Sequence, residues 1–122
     1  MQVVIKFREH LFEFLSDLSD HFELILFNDN THCYTMQLYE ALQKFISKQQ
    51  DNCIIEKEIP FSYILSKDHC SINESQELIK DLEFLSGPES NRSLEDCIIV
   101  DNNMKAFQRQ ITNGIYLPKF SQ

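Results

Sequence analysis

The chain has 122 residues, 43% hydrophobic and 25% charged, which is the size of one globular domain burying about two thirds of its unfolded surface. Its formal charge of −8, from 19 acids against 11 Lys and Arg, opposes direct binding to nucleic-acid phosphates and suits a basic protein partner better. Apolar stretches are only four or five residues long and the N-terminus "MQVVIKFREHLFEF" has no apolar signal core, so neither a membrane span nor a secretory leader is expected; a nuclear or cytoplasmic address is the default.

In chain order, Phe7, Leu11, Phe14, Leu15, Leu18 and Phe22 recur at steps of three and four, which predicts an amphipathic helix with Glu9, Glu13, Asp17 and Asp20 outward. "ELILF", Glu23 to Phe27, is a short continuous apolar run of the kind that forms a doubly covered parallel strand, and it stops at "NDNT", Asn28 to Thr31. Leu38, Tyr39, Leu42, Phe45 and Ile46 predict a second amphipathic helix fading through Ser47 to Asn52. Cys53 to Cys70 holds two β-prone pieces broken at Pro60, either strands or a long excursion. Leu78, Ile79, Leu82 and Leu85 suggest a short helix begun by Ser71 or Asn73 and ended at Gly87-Pro88, with Lys80 inside it or at its edge. "CIIV", Cys97 to Val100, reads as a buried strand, Met104 to Gln110 as a brief helix, and "GIYLP", Gly114 to Pro118, as a last strand.

This order is an α/β alternation with parallel pairing, in which a site is expected outside the carboxyl ends of the strands. Both confident strands end in polar clusters, "NDNT" and "DNN", expected to face one crevice. Taken alone, each is more often a turn, because Asn and Asp favour turns for local reasons, and only their coincidence brings the two readings level. The four cysteines, Cys33, Cys53, Cys70 and Cys97, form no C-x-x-C pair, so they are expected to be small buried thiols rather than metal ligands or disulfides.

"REHLFEFL" (8–15), "LILFNDNT" (24–31), Tyr34, "KDHC" (67–70), "IKDL" (79–82), "NRSLEDCIIVDN" (91–102) and "TNGIYLPKF" (112–120) follow one another across nearly the whole chain. In that order they resemble the FCP/SCP-type phosphatases of the haloacid dehalogenase superfamily, a family that includes RNA polymerase II C-terminal-domain phosphatases, Dullard-like (NLI-interacting-factor-like) phosphatases and a mitochondrial translocase receptor subunit. The resemblance implies a single HAD-like, Rossmannoid domain over 1–122, a parallel sheet with flanking helices, incomplete at both ends. It implies Mg²⁺-dependent hydrolysis of protein phosphoserine or phosphothreonine through an aspartyl-phosphate. Lys80 would clamp the phosphate, Asp101 and Asn102 would serve the Mg²⁺ ion, and Asn28 stands where the family has a phosphate-binding Thr.

Departures temper the carry-over. Glu9 replaces the family's Pro after Arg8, and Asp68-His69 stand for its Arg-Glu before Cys70. No Asp-x-Asp, the family's nucleophile and general-acid motif, occurs in the 122 residues, and Asp17 and Asp20 have the wrong spacing for it. The family's motif-bearing strand lies at the centre of the sheet, so without it neighbouring strand edges are expected to lie open. Two readings follow: a piece of a phosphatase inactive alone, or a non-catalytic, protein-binding pseudophosphatase, mitochondrial if it belongs to the translocase-receptor branch. The partner is expected to be a phosphoprotein or another protein.

Overall fold

A computed structural model describes residues 5–50, 58–87 and 89–119, which fall in two compact units, Met1–Asp68 and His69–Gln122. In the first, α1 (Leu11–Ser19) leads to β1 (Leu24–Phe27), α2 (His32–Gln50) and β2 (Phe61–Leu65). The expected stripe from Phe7 is helical only from Leu11, because His10 takes a left-handed φ of 69°. Its apolar face is also turned from the expectation. Leu15 is buried with Leu11, Phe12 and Leu18 against it, whereas Phe14 and Phe22 are nearly half exposed. Phe7 still reaches the core, its ring 4.8 Å from that of Phe45.

β1 runs parallel to β2, with Ile25 opposite Tyr63, Leu26 opposite Ile64 and Phe27 opposite Leu65. Parallel neighbours need a crossover, and α2 supplies it. Thr31, the last residue of the polar string, starts that helix: its Oγ1 accepts from Tyr34 N–H at 3.2 Å and its carbonyl from Thr35 N–H at 3.0 Å. Thr35, fully buried, donates its hydroxyl back to the same carbonyl at 2.8 Å. Leu42 and Ile46 then carry the helix's core face, closed by Leu24 and Ile59. β2 begins directly after Pro60, which has no N–H to give a ladder. The β-prone piece expected before Pro60 falls mainly on 51–57, outside the described residues.

The second unit contains β3 (Ser71–Ile72), β4 (Leu78–Ile79), β5 (Ile99–Asp101) and β6 (Gly114–Tyr116), with 3-10 turns between β4 and β5 and between β5 and β6. The helix expected over Leu78 to Leu85 is absent, and the reason is Asn73. Its carboxamide oxygen accepts from the N–H groups of both Ser75 and Glu77 at 2.9 Å, and with Gln76 at φ 64° it folds 71–79 into an antiparallel hairpin. Asp81 is then extended (φ −79°, ψ 119°) and caps a 3-10 turn, Leu82–Leu85. The spacing of Leu78, Ile79, Leu82 and Leu85 is therefore split between a strand and a turn; Ile79 and Leu82 are both buried all the same.

β5 and β6 are parallel, Val100 facing Ile115, joined by a 3-10 stretch, Met104–Asn113, that bends at Phe107 and Gln110. The strand starts at Ile99 rather than Cys97, and it is buried on one face only: Ile99 is in the core while Ile98 and Val100 are exposed, which corrects the expectation of a buried strand. A small core of Leu82, Ile99 and Phe107, with Leu85, Leu94 and Cys97 against it, supports this pair. The cysteines depart from the expected burial: Cys33 is exposed and Cys70 and Cys97 are half-buried, while Cys53 lies outside the described residues. Cys33 sits in the first turn of α2 while the helix's buried positions are Thr35, Leu42 and Ile46, so its side chain falls on another face. Among the described residues no helix is long and apolar enough to cross a membrane.

Candidate functional site

Asp101 is the last residue of β5, and its backbone carbonyl accepts from Leu117 N–H at 3.0 Å, so its position is fixed from the β6 side. Its two carboxylate oxygens do different work. Oδ1 accepts from Asn103 N–H at 2.9 Å, and Asn103 in turn caps the following 3-10 stretch by accepting from Lys105 N–H at 3.1 Å. Oδ2 accepts from Lys80 Nζ at 2.6 Å. The "DNN" string is thus both of the things its sequence allowed: one oxygen closes a turn and the other meets a cation.

Lys80 approaches from the end of β4, in an extended segment rather than on a helix, with its own N–H donated to the Ala106 carbonyl at 2.7 Å. The Lys80 and Asp101 side chains retain only 11% and 10% of their exposure. With so little water around it, such a pair interacts much more strongly than one on the surface. Asn102 is exposed at the turn beside it. The structure therefore brings Lys80, Asp101 and Asn102 to one strand end. Asn28 belongs to the other unit, at the end of β1: its N–H extends the ladder to Leu65 O at 3.0 Å and its Oδ1 accepts from Asn30 N–H at 2.7 Å. Its carboxamide oxygen closes a turn, which leaves the amide N–H groups as donors for an anion.

Behind Lys80 lies a group that the sequence did not flag. Asp81 is nine-tenths buried; it accepts from Glu83 N–H at 2.9 Å, Gln110 Nε2 at 2.8 Å and Arg109 Nη1 at 2.9 Å. Burial pushes its pKa up, but those bonds and the Arg109 charge together outweigh burial and hold the carboxyl below its ordinary 3.8. A depressed folded-state pKa adds stability above the unfolded value and loses it as pH falls through the folded one. The urea midpoint is therefore expected to drop as pH is lowered below about 3.8. In Asp81→Asn the drop should be smaller; an equal drop in both proteins would remove Asp81 from the account.

A magnesium ion wants six oxygens in a near-octahedral arrangement, usually one or two carboxylates with water and phosphate. Among the described residues no three His, Cys, Asp or Glu side chains gather as a metal site. Asp101, with each oxygen already accepting one hydrogen bond, and the Asn102 carboxamide make at most a partial set. These residues do not complete a magnesium site by themselves, and further ligands would have to come from elsewhere.

The second unit thus sets a nearly buried lysine against an aspartate at the ends of two strands. The family model described as NLI interacting factor-like phosphatase matches residues 1–122, and the chain belongs to that family, whose domain is HAD-like. Among curated relatives it is 31% identical over 114 residues to CTD small phosphatase-like protein 2 of Dictyostelium discoideum, covering 93% of this chain and 17% of that protein. It is also 31% identical over 104 residues to mitochondrial import inner membrane translocase subunit TIM50 of Kluyveromyces lactis, covering 85% of this chain and 18% of that one. The chain thus spans less than a fifth of either relative.

Proposed function

We propose that this chain is part of a protein serine/threonine phosphatase domain acting through an aspartyl-phosphate, and that its share of the site is Lys80, Asp101 and Asn102. The observation that carries this reading is the 2.6 Å contact between Lys80 Nζ and Asp101 Oδ2, both side chains nearly buried. A buried ammonium is costly without an anion beside it, and here Asp101 fixes its direction. A phosphoryl oxygen arriving next to Lys80 would find that cation already oriented and largely stripped of water, which is the electrostatic preorganisation phosphoryl transfer requires. Any Mg²⁺ would draw on Asp101 and Asn102 for part of its oxygen set.

The attacking carboxylate must come from outside these 122 residues, which contain no Asp-x-Asp. Alone, the chain is therefore expected to hydrolyse no p-nitrophenyl phosphate with Mg²⁺. Turnover lost on Lys80→Ala would overturn that expectation. An extended chain carrying an in-frame Asp-x-Asp-x-Thr/Val segment is expected to turn over, and to stop on Lys80→Ala. Failure of that extended chain would leave the second reading, a protein-binding pseudophosphatase. That reading is supported by the match to the translocase subunit, at the same 31% identity over a shorter span, and by Asn28 standing where the family has a phosphate-binding Thr. The address follows the branch, nuclear or cytoplasmic for the phosphatase and mitochondrial for the other.

A further inference from the structure

We propose that Asp81, held by Gln110 and Arg109, is a positioning residue that sets Lys80 against Asp101; this rests on the reading of Lys80 and Asp101 as the reactive end of the site. The segment carrying Lys80 is fastened to the 3-10 stretch Met104–Asn113 at three successive residues. Lys80 N–H donates to Ala106 O at 2.7 Å. Asp81 accepts from Gln110 Nε2 and Arg109 Nη1, and Leu82 N–H donates to Gln110 Oε1 at 3.0 Å.

Gln110 uses both ends of its carboxamide, one on the Asp81 carboxylate and the other on the next backbone amide. That satisfies a buried carboxylate and a backbone donor with a single side chain, in a geometry that a shift of the segment along its axis would break. The other end of the same stretch is tied to Asp101, because its cap Asn103 donates its N–H to Asp101 Oδ1. One stretch of chain therefore measures the distance between the backbone of Lys80 and the carboxylate it meets. A long, flexible lysine side chain has costly rotamer freedom, and fixing the backbone at its root limits where the ammonium can reach, leaving the Asp101 contact to select the rotamer. Asp81 lies next to the lysine in "IKDL" and points the other way, into the clamp.

The test is the rate at which Lys80 reacts in reductive methylation with formaldehyde and cyanoborohydride, followed residue by residue by mass spectrometry on the full chain. In the wild type Lys80 should react roughly tenfold more slowly than the exposed Lys105, the protection expected of a charge-assisted bond in a nearly dry setting. Asp81→Asn should remove most of that protection and leave Lys105 unchanged, and Gln110→Ala should do the same without touching a charge. Loss of protection at every lysine would report unfolding, and Gln110→Ala then decides. A merely structural Asp81 is distinguished by a double cycle: in an Asp101→Asn background the Asp81→Asn effect should shrink to little or nothing, because there is no pair left to set. Unchanged Lys80 reactivity in a folded Gln110→Ala protein, or fully additive effects, overturns the proposal. Neither result depends on turnover, so the phosphatase reading stands or falls separately on its own assay.

Discussion

Lys80→Met is expected to lower the stability of the chain by about 3 kcal/mol, as removing one partner of a nearly buried ion pair leaves the other charge without compensation. Methionine keeps the length of the stem, so the change removes mainly the ammonium. Asp101 would still accept from Asn103 N–H through Oδ1, but its Oδ2 would lose the 2.6 Å contact. Asp101→Asn should cost a comparable amount, because the amide preserves the turn while its neutral end no longer balances Lys80. The informative protein is the double variant, Lys80→Met with Asp101→Asn. If the two charges are mainly neutralising each other, the double variant should be distinctly more stable than the sum of the single losses, since replacing both members of a buried pair is often close to neutral. Urea unfolding of the four proteins gives the coupling directly. Single losses below about 1 kcal/mol that add without coupling would put this pair among ordinary surface ion pairs.

Much of the second unit's strand framework was legible because parallel strands announce themselves. "CIIV" and "GIYLP" are short apolar runs ending in polar residues, and Ile99–Asp101 and Gly114–Tyr116 pair in the expected sense. "ELILF" was legible for the same reason, and its pairing with Phe61–Leu65 makes use of the break at Pro60. What periodicity could not see was the hairpin of 71–79. Leu78, Ile79, Leu82 and Leu85 fit a helical face in one dimension, and only the double acceptance by Asn73 Oδ1 decides against it. Lys80 and Asp101 are legible only through the family resemblance, since no spacing rule links them, and their side chains lie 2.6 Å apart. Asp81, Arg109 and Gln110 were not legible because their bonds span 28 and 29 positions and follow no spacing rule. The one clue was an acid and a lysine together between the apolar Ile79 and Leu82, in "IKDL", where burial would require partners.

Gly114→Val is expected to cost about 3 kcal/mol or more, at the upper end of overpacking changes, because the position has no room for a Cβ. A Cβ built on Gly114 would overlap one edge of the Phe107 ring, at Cγ, Cδ2 and Cε2. Nor can the ring easily yield: Phe107 is 3% exposed and packs with Leu82 and Ile99 in the unit's core. Gly114 is at φ −96°, so the requirement is for space rather than for left-handed backbone freedom. This gives the "TNGI" string a physical meaning. Asn113 donates its amide to the carbonyls of Leu94 and Cys97, at 2.5 and 2.9 Å, pinning the turn before β5, and Gly114 lets Phe107 lie on β6. β6 in turn holds the backbone of Asp101 through Leu117 N–H. Damage at Gly114 should therefore reach the Lys80 pair although neither residue touches it. Gly114→Ala combined with Phe107→Leu is the rescue, since the smaller side chain vacates part of the volume the Cβ needs. Thermal or urea unfolding should show the double variant regaining part of the stability lost in Gly114→Ala alone. A Gly114→Ala protein as stable as the wild type, with or without the second change, would show that the ring does not lie where this packing places it.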